Sequence, residues 1–341
     1  MNEVARIGTH RDLLGESPIW DDAEQALYWV DIRAPAINRL DWASMAIQSW
    51  PMPGLVGCIA LAEDGRLVVA LPDSIALFDR HSHQLQTIAR IEGPFEGHRF
   101  NDGRCDRQGR FWVGSMHNLT RAPVGVLYRL DPARGLQPTL DGISIPNSLA
   151  WSPDGRTMYF ADSLKYIIYA HDFNPDTAEI GPARVFAQST APAFADGSAI
   201  DEDGFLWNAE FLGGRLVRYA PDGRIDRIVA MPVDRPTCCA FGGPDLATLF
   251  ITSTSQNMSA EDRAANPLAG GLLDKSSSVS DPSLFSNNKE QDFFFLYLLL
   301  KFKYYSTSPP PSCCMLCQKD RRMKPISLVL IFYLRLQQFG V

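Results

Sequence analysis

Six times along the chain a bulky residue introduces a short acidic turn that leads into an apolar run. Cys105 is followed by Asp106-Arg107-Gln108-Gly109-Arg110 and then Phe111-Trp112-Val113; Trp151 is followed by Ser152-Pro153-Asp154-Gly155-Arg156 and then Met158-Tyr159-Phe160. Leu61, before Ala62-Glu63-Asp64-Gly65, and Ile200, before Asp201-Glu202-Asp203-Gly204, open two further copies. Trp20 and Phe241 open degenerate ones, leading into Leu27-Tyr28-Trp29-Val30 and Leu249-Phe250-Ile251. The six anchors are spaced by about 41 to 49 residues, the period of a propeller blade. Asp-Gly turns between apolar runs favour hairpins, because Gly accepts the positive φ that such turns demand. A third run closes each copy, as in Ile37-Asn38-Arg39-Leu40-Asp41 and Leu127-Tyr128-Arg129-Leu130-Asp131. The pattern predicts an all-β fold, a six-bladed β-propeller.

Four residues before each anchor stand Glu16, Gly57, Asn101, Asn147, Asp196 and Thr237. Equivalent positions of successive blades surround one axis, so these residues are expected at one mouth of a central channel. Glu16, Asn101, Asn147 and Asp196 offer only oxygen donors, the preference of a hard divalent cation such as Ca²⁺ or Mg²⁺. Asn and Asp ahead of a strand also serve as turn residues with local hydrogen bonds; the shared offset favours a common site. Asp196, between small residues, is the first candidate for a catalytic group.

Arg99 lies two residues before Asn101, on the same face of an extended segment, where its fork of donors suits substrate oxygens. Asp102 faces the other way and reads as a turn residue. Ser115-Met116-His117-Asn118-Leu119-Thr120-Arg121-Ala122-Pro123 is a polar insertion placed to cover the channel. His117 is the histidine nearest the inferred site and a candidate substrate contact. Gly57 brings no ligand from the second repeat and leaves room for a substrate. His81-Ser82-His83 reads as an exposed turn.

A net charge of -7 argues against a nucleic-acid partner, which wants a basic patch. The seven cysteines have no disulfide spacing, and Cys314 and Cys317 form a lone C-x-x-C, too little for a zinc site. The first residues hold no apolar signal segment. The apolar runs near the C-terminus are interrupted by lysine or too short for a bilayer of about 30 Å. The expected protein is therefore cytoplasmic, without membrane or nucleic-acid partners, as a monomer or weak homodimer.

Gly15-Glu16-Ser17-Pro18-Ile19-Trp20-Asp21, Arg99-Phe100-Asn101-Asp102-Gly103, Pro146-Asn147-Ser148-Leu149-Ala150-Trp151, Asp196-Gly197 and Pro267-Leu268-Ala269-Gly270-Gly271, in this order, resemble the senescence-marker protein, gluconolactonase and regucalcin family. The resemblance implies a six-bladed propeller that hydrolyses sugar lactones with one divalent cation (Ca, Zn, Mn or Mg). It implies Glu16, Asn147 and Asp196 as metal ligands and Arg99 and Asn101 as substrate contacts. Animal members carry an acidic substrate contact in the loop that here reads Met116-His117-Asn118-Leu119, so their sugar preference does not transfer. Past Leu273 the chain leaves the family pattern. The expectation is a propeller over residues 1–273 with its last blade incomplete, followed by a non-family tail over 274–341, disordered or poorly packed. The resemblance leaves two alternatives to a lactonase, a calcium-binding regulator without turnover and an inert product of the altered C-terminus.

Overall fold

The structure is a computed structural model, and it describes residues 4–92 and 95–276. A short strand β1 (Ala5–Arg6) precedes the first blade, which comprises β2 (Gly15–Asp21), β3 (Ala26–Asp31), β4 (Ala36–Asp41) and β5 (Ile47–Pro51). Blade 2 contains β6 (Ile59–Leu61), β7 (Leu67–Ala70), β8 (Ser74–Phe78) and β9 (Leu85–Arg90). Blade 3 contains β10 (His98–Cys105), β11 (Phe111–His117), β12 (Gly125–Asp131) and β13 (Gly135–Ile143). Blade 4 contains β14 (Pro146–Trp151), β15 (Thr157–Asp162), β16 (Ile167–Phe173) and β17 (Ile180–Gln188). In blade 5 stand β18 (Phe194–Ile200), β19 (Leu206–Phe211), β20 (Arg215–Tyr219) and β21 (Ile225–Ala230). Blade 6 adds β22 (Pro236–Gly242), β23 (Thr248–Ser253) and β24 (Leu273–Ser276), with a helix α1 (Ala260–Ala265) between the last two.

Each blade is an antiparallel four-stranded sheet. The first strands β2, β6, β10, β14, β18 and β22 lie side by side in a closed ring, β22 returning to β2. The repeat period thus becomes a six-bladed propeller. The turns behave as their composition demands. Gly65, Gly109, Gly155 and Gly204 adopt φ of 68–82° and each closes a turn on the carbonyl three residues before it.

Adjacent blades are joined by apolar layers. Tyr28, Ile37 and Trp50 of blade 1 pack with Ile59, Leu67 and Phe78 of blade 2, while Trp20, Leu27 and Trp29 pack with Phe250 of blade 6. Trp29, Trp112 and Trp207, on the second strands of three blades, are fully buried. Their indole N–H groups donate to Asp12, Asp106 and Asp201 at 2.9, 2.9 and 3.0 Å, so a large apolar surface is buried without an orphaned donor.

The sixth blade corrects an expectation. It is not open: β24 pairs with β23 on one side and with β1 on the other, through Ala5↔Asp274 and Arg6↔Leu273. The N-terminal strand supplies the outer edge, and Leu273 is fully buried against Phe241, Leu249 and Ile251. Asp274–Ser276, assigned from sequence to the tail, therefore belong to the propeller. The remaining tail expectation, over 277–341, lies outside the described residues.

Candidate active site

The six positions singled out by their offset stand in or just before the first strands, at the end of the channel where β2 pairs Glu16 with Val30 and β14 pairs Asn147 with Ala161. Five of the six first strands lose register there: between Glu16 and Ile19, Phe100 and Gly103, Asn147 and Ala150, Ala195 and Ser198, and Pro236 and Cys238. A bulge turns a side chain away from the pleat. Ser17 and Ser148, with φ of 51° and 56°, carry the local backbone change beside Glu16 and Asn147. Repeated bulges thus explain how polar side chains in buried strands come to face a channel.

A chain of hydrogen bonds crosses three blades. Arg99 donates from Nη1 to the Asn101 Oδ1 at 2.6 Å and to the Phe100 carbonyl at 2.9 Å. Asn101 donates from Nδ2 to Asn147 Oδ1 and to the Pro146 carbonyl, both at 2.8 Å. Asn147 donates from Nδ2 to Ser163 Oγ at 2.8 Å, and Ser163 donates from Oγ to the Ala195 carbonyl at 2.7 Å, beside Asp196. These bonds fix the Asn147 amide with its oxygen toward Asn101. Asn101 retains one lone pair on Oδ1, and Arg99 Nη2 has no protein partner among the described residues.

Glu16 and Asp196 are the acidic members. Burial first, then the neighbouring charge of Asp102, pushes the Glu16 carboxyl up to about 8, with Arg99 opposing. Burial, Glu16 and Asp102 hold the Asp196 carboxyl well above the usual carboxylate range. Neither forms an ion pair among the described residues. Two like-charged, desolvated carboxylates with a fixed amide oxygen beside them form a donor set that a hard cation satisfies, because its charge offsets both the repulsion and the lost hydration. Among the described residues no three His, Cys, Asp or Glu side chains gather as a metal group. The oxygen donors available at this mouth among the described residues are the carboxylates of Glu16 and Asp196 and the amides of Asn101 and Asn147.

One expectation changes. Asp102 is not a turn residue: it lies in β10, accepts from the Leu149 N–H at 2.9 Å, and its charge bears on both Glu16 and Asp196. The bulge after Phe100 reverses the facing that simple alternation assigns to it. His117 ends β11 with its ring edge-on to His98 at 5.1 Å. Its Nδ1 accepts from the N–H groups of Leu119 and Thr120 at 3.3 and 3.1 Å. That nitrogen shapes the loop. Sequence reasoning also missed Ser163, which orients Asn147; a lone Ser after β15 carries no distinguishing signal. A cavity of about 410 Å³ occupies the other end of the channel, lined by Trp20, Arg104 and Trp151. Its lining includes neither Glu16, Asn147 nor Asp196.

Residues 14–255 match the family model described as the SMP-30/Gluconolactonase/LRE-like region. The chain is 38% identical over 275 residues to a 6-deoxy-6-sulfogluconolactonase of Pseudomonas putida, covering 79% of this chain and 94% of that one. It is 40% identical over 268 residues to an L-arabinolactonase of Azospirillum brasilense, covering 77% and 88%. Among solved structures, a calcium-binding regucalcin from Agrobacterium tumefaciens superimposes with a TM-score of 0.77 at 30% identity, covering 80% of this chain and 93% of that one. The propeller, the order of its motifs and these matches together establish that the chain belongs to the SMP-30/gluconolactonase family.

Proposed function

We infer that the protein is an enzyme that hydrolyses sugar lactones to the corresponding sugar acids, and that it does so with a divalent cation held by Glu16, Asn147 and Asp196. The buried carboxylate pair Glu16 and Asp196 beside an oriented amide, in a chain of this family, carries the reading. Relatives named as lactonases for a sulfogluconolactone and for L-arabinolactone support the substrate class, and a relative described as calcium-binding supports the cation. A divalent cation bound at such a site polarises a carbonyl and offsets charge developing on its oxygen.

The protein's own groups then have the following work. Asp196, ionised when the site is loaded, takes a proton from the attacking water as general base. Water adds to the lactone carbonyl carbon, the ring C–O bond breaks, and the departing ring oxygen takes up a proton, leaving a hydroxy acid. Arg99 offers Nη2 and Asn101 the free lone pair of Oδ1 to the sugar hydroxyls, so the ring is oriented by one donor and one acceptor. His117 acts through the loop that it caps, which Asn118 ties to Arg99 Nε at 3.1 Å.

Acid release from five- and six-carbon aldonolactones, followed with several added cations, tests the reading. Catalysed release above the spontaneous rate supports it. Stabilisation by a cation without any acid release identifies a binder instead and overturns it.

A further inference from the structure

On a chain of net charge -7, three arginines border the same mouth of the channel. Arg33 lies in the turn between β3 and β4, which shares the Glu16 end of blade 1 because Asp31 pairs with Gly15. The Asp31 carboxylate stitches that turn to the segment entering β2, accepting from Leu13, Leu14, Arg33 and Ala34 N–H groups at 2.7, 3.1, 2.9 and 2.9 Å. Arg33 spends only Nε, on Gln256 Oε1 at 3.3 Å. Arg121 lies in the loop after β11 of blade 3, held by its N–H on the His117 carbonyl at 3.2 Å and by the His117 cap inside the turn. Asn118 of the same loop is bonded to Arg99, so the loop is pinned to the site. The Arg121 guanidinium is exposed and has no hydrogen bond or ion pair among the described residues.

Between these two arginines blade 2 brings little. Gly57 has no side chain, and one could not be added, since a Cβ there would lie 2.5 Å from the Phe100 carbonyl oxygen. The connection from β7 to β8 is the short turn 71–73. The electrostatics agree with the placement. Burial, then the charge of Arg33, with Arg121 contributing and Glu16 and Asp196 opposing, holds Arg99 down to about 10, and burial with Arg121 lowers Arg33 as well. Arg99 is offset by Glu16 and Asp196, whereas Arg33 and Arg121 form no ion pair with a carboxylate among the described residues; an oxyanion that accepts from their forks offsets their repulsion.

We propose that the preferred substrate is a lactone bearing an anionic group, a sulfonate, phosphate or carboxylate remote from its carbonyl, held by Arg33 and Arg121 over the blade 2 side of the mouth. This rests on the lactonase reading and names the substrate class. Arg99 serves the sugar ring, and Arg33 and Arg121 determine specificity at the distal end. Loss of a charge-assisted pair at such a position costs about 10- to 100-fold in kcat/KM for the charged substrate.

The test compares kcat/KM for a neutral six-carbon aldonolactone and for the same lactone carrying a terminal phosphate or sulfonate. Wild-type protein is expected to prefer an anionic lactone by at least about 10-fold, with the preference falling as salt rises. Arg33→Gln and Arg121→Gln are expected to erase most of that preference through KM, and Arg121→Lys to restore part of it. A neutral lactone turned over as well as the anionic ones, or a preference that survives in both glutamine variants, overturns the proposal while leaving the lactonase reading intact. No turnover of any lactone overturns both.

Discussion

Asn101 donates to Asn147 across the gap between the third and fourth blades at 2.8 Å, and the two amides share one orientation that neither holds alone. Arg99 fixes one end of this pair and Ser163 the other. Asn147→Ala is therefore expected to weaken cation binding by about 10- to 100-fold and to lower kcat/KM by at least as much. Calorimetric titration of the cation and initial rates check it; unchanged cation affinity removes Asn147 from the ligand set.

Ser163 touches no proposed ligand oxygen and acts by positioning. Ser163→Ala leaves the Asn147 Nδ2 without its acceptor and the Ala195 carbonyl without its donor. The expected result is a roughly 10-fold loss of cation affinity that added cation largely restores, together with about 1–3 kcal/mol of lost stability. Ser163→Thr, which keeps the hydroxyl, should rescue most of the affinity. A variant with lowered stability but wild-type affinity would show Ser163 to be structural only.

The carboxylate pair predicts a definite pH response. The Glu16 carboxyl is raised in the folded protein from an ordinary 4.5 to about 8, so the stability contributed by its proton is fully present below 4.5 and is lost as pH rises through about 8. Cation-free protein should melt at progressively lower temperature across that window. With saturating cation the decline should flatten, since both carboxylates are then ionised and compensated, and binding should release a proton below about pH 8. Melting curves with chelator and with Ca²⁺, and titrations in two buffers of different ionisation heat, measure both effects.

The closure of blade 6 by β1 predicts that removing residues 1–7 destabilises the whole ring and not only its edge. Ile7 is buried in the seam between blades 1 and 6, and its N–H donates to the Leu272 carbonyl at 2.9 Å. Ile7→Ala alone should cost about 2–4 kcal/mol. Urea unfolding of the variant and of the truncated chain gives the values. Conversely, we propose that residues beyond 276 are dispensable; a chain ending at Ser276 should melt and turn over as the full chain does.

The parts of the molecule that follow from pattern and those that do not differ for physical reasons. Buried first, second and third strands show as apolar runs and Asp-Gly turns, so the blades are legible. The outer strands β5, β9, β13, β17 and β21 face solvent along much of their length and carry mixed sequences such as Leu85-Gln86-Thr87-Ile88-Ala89-Arg90, which reveal no period. The outer strand of blade 6 is invisible for another reason: Ala5 and Arg6 lie far in sequence from Leu273. At the site, a constant offset singles out Glu16, Asn101, Asn147 and Asp196 together, and the family resemblance narrows the expected ligands to three of them. The facing of Asp102 depends on a bulge, and the spent Nδ1 of His117 on a turn, and neither is written in the spacing of residue types.

The most direct test of the central claim is the rate of aldonolactone hydrolysis by wild-type and Asp196→Asn protein, each measured after chelation and again with added Ca²⁺, Mg²⁺, Mn²⁺ or Zn²⁺. The account predicts cation-dependent turnover in the wild type and a loss of at least about 100-fold in the variant with its fold retained by circular dichroism. Turnover that survives chelation, or that persists in Asp196→Asn, would contradict it.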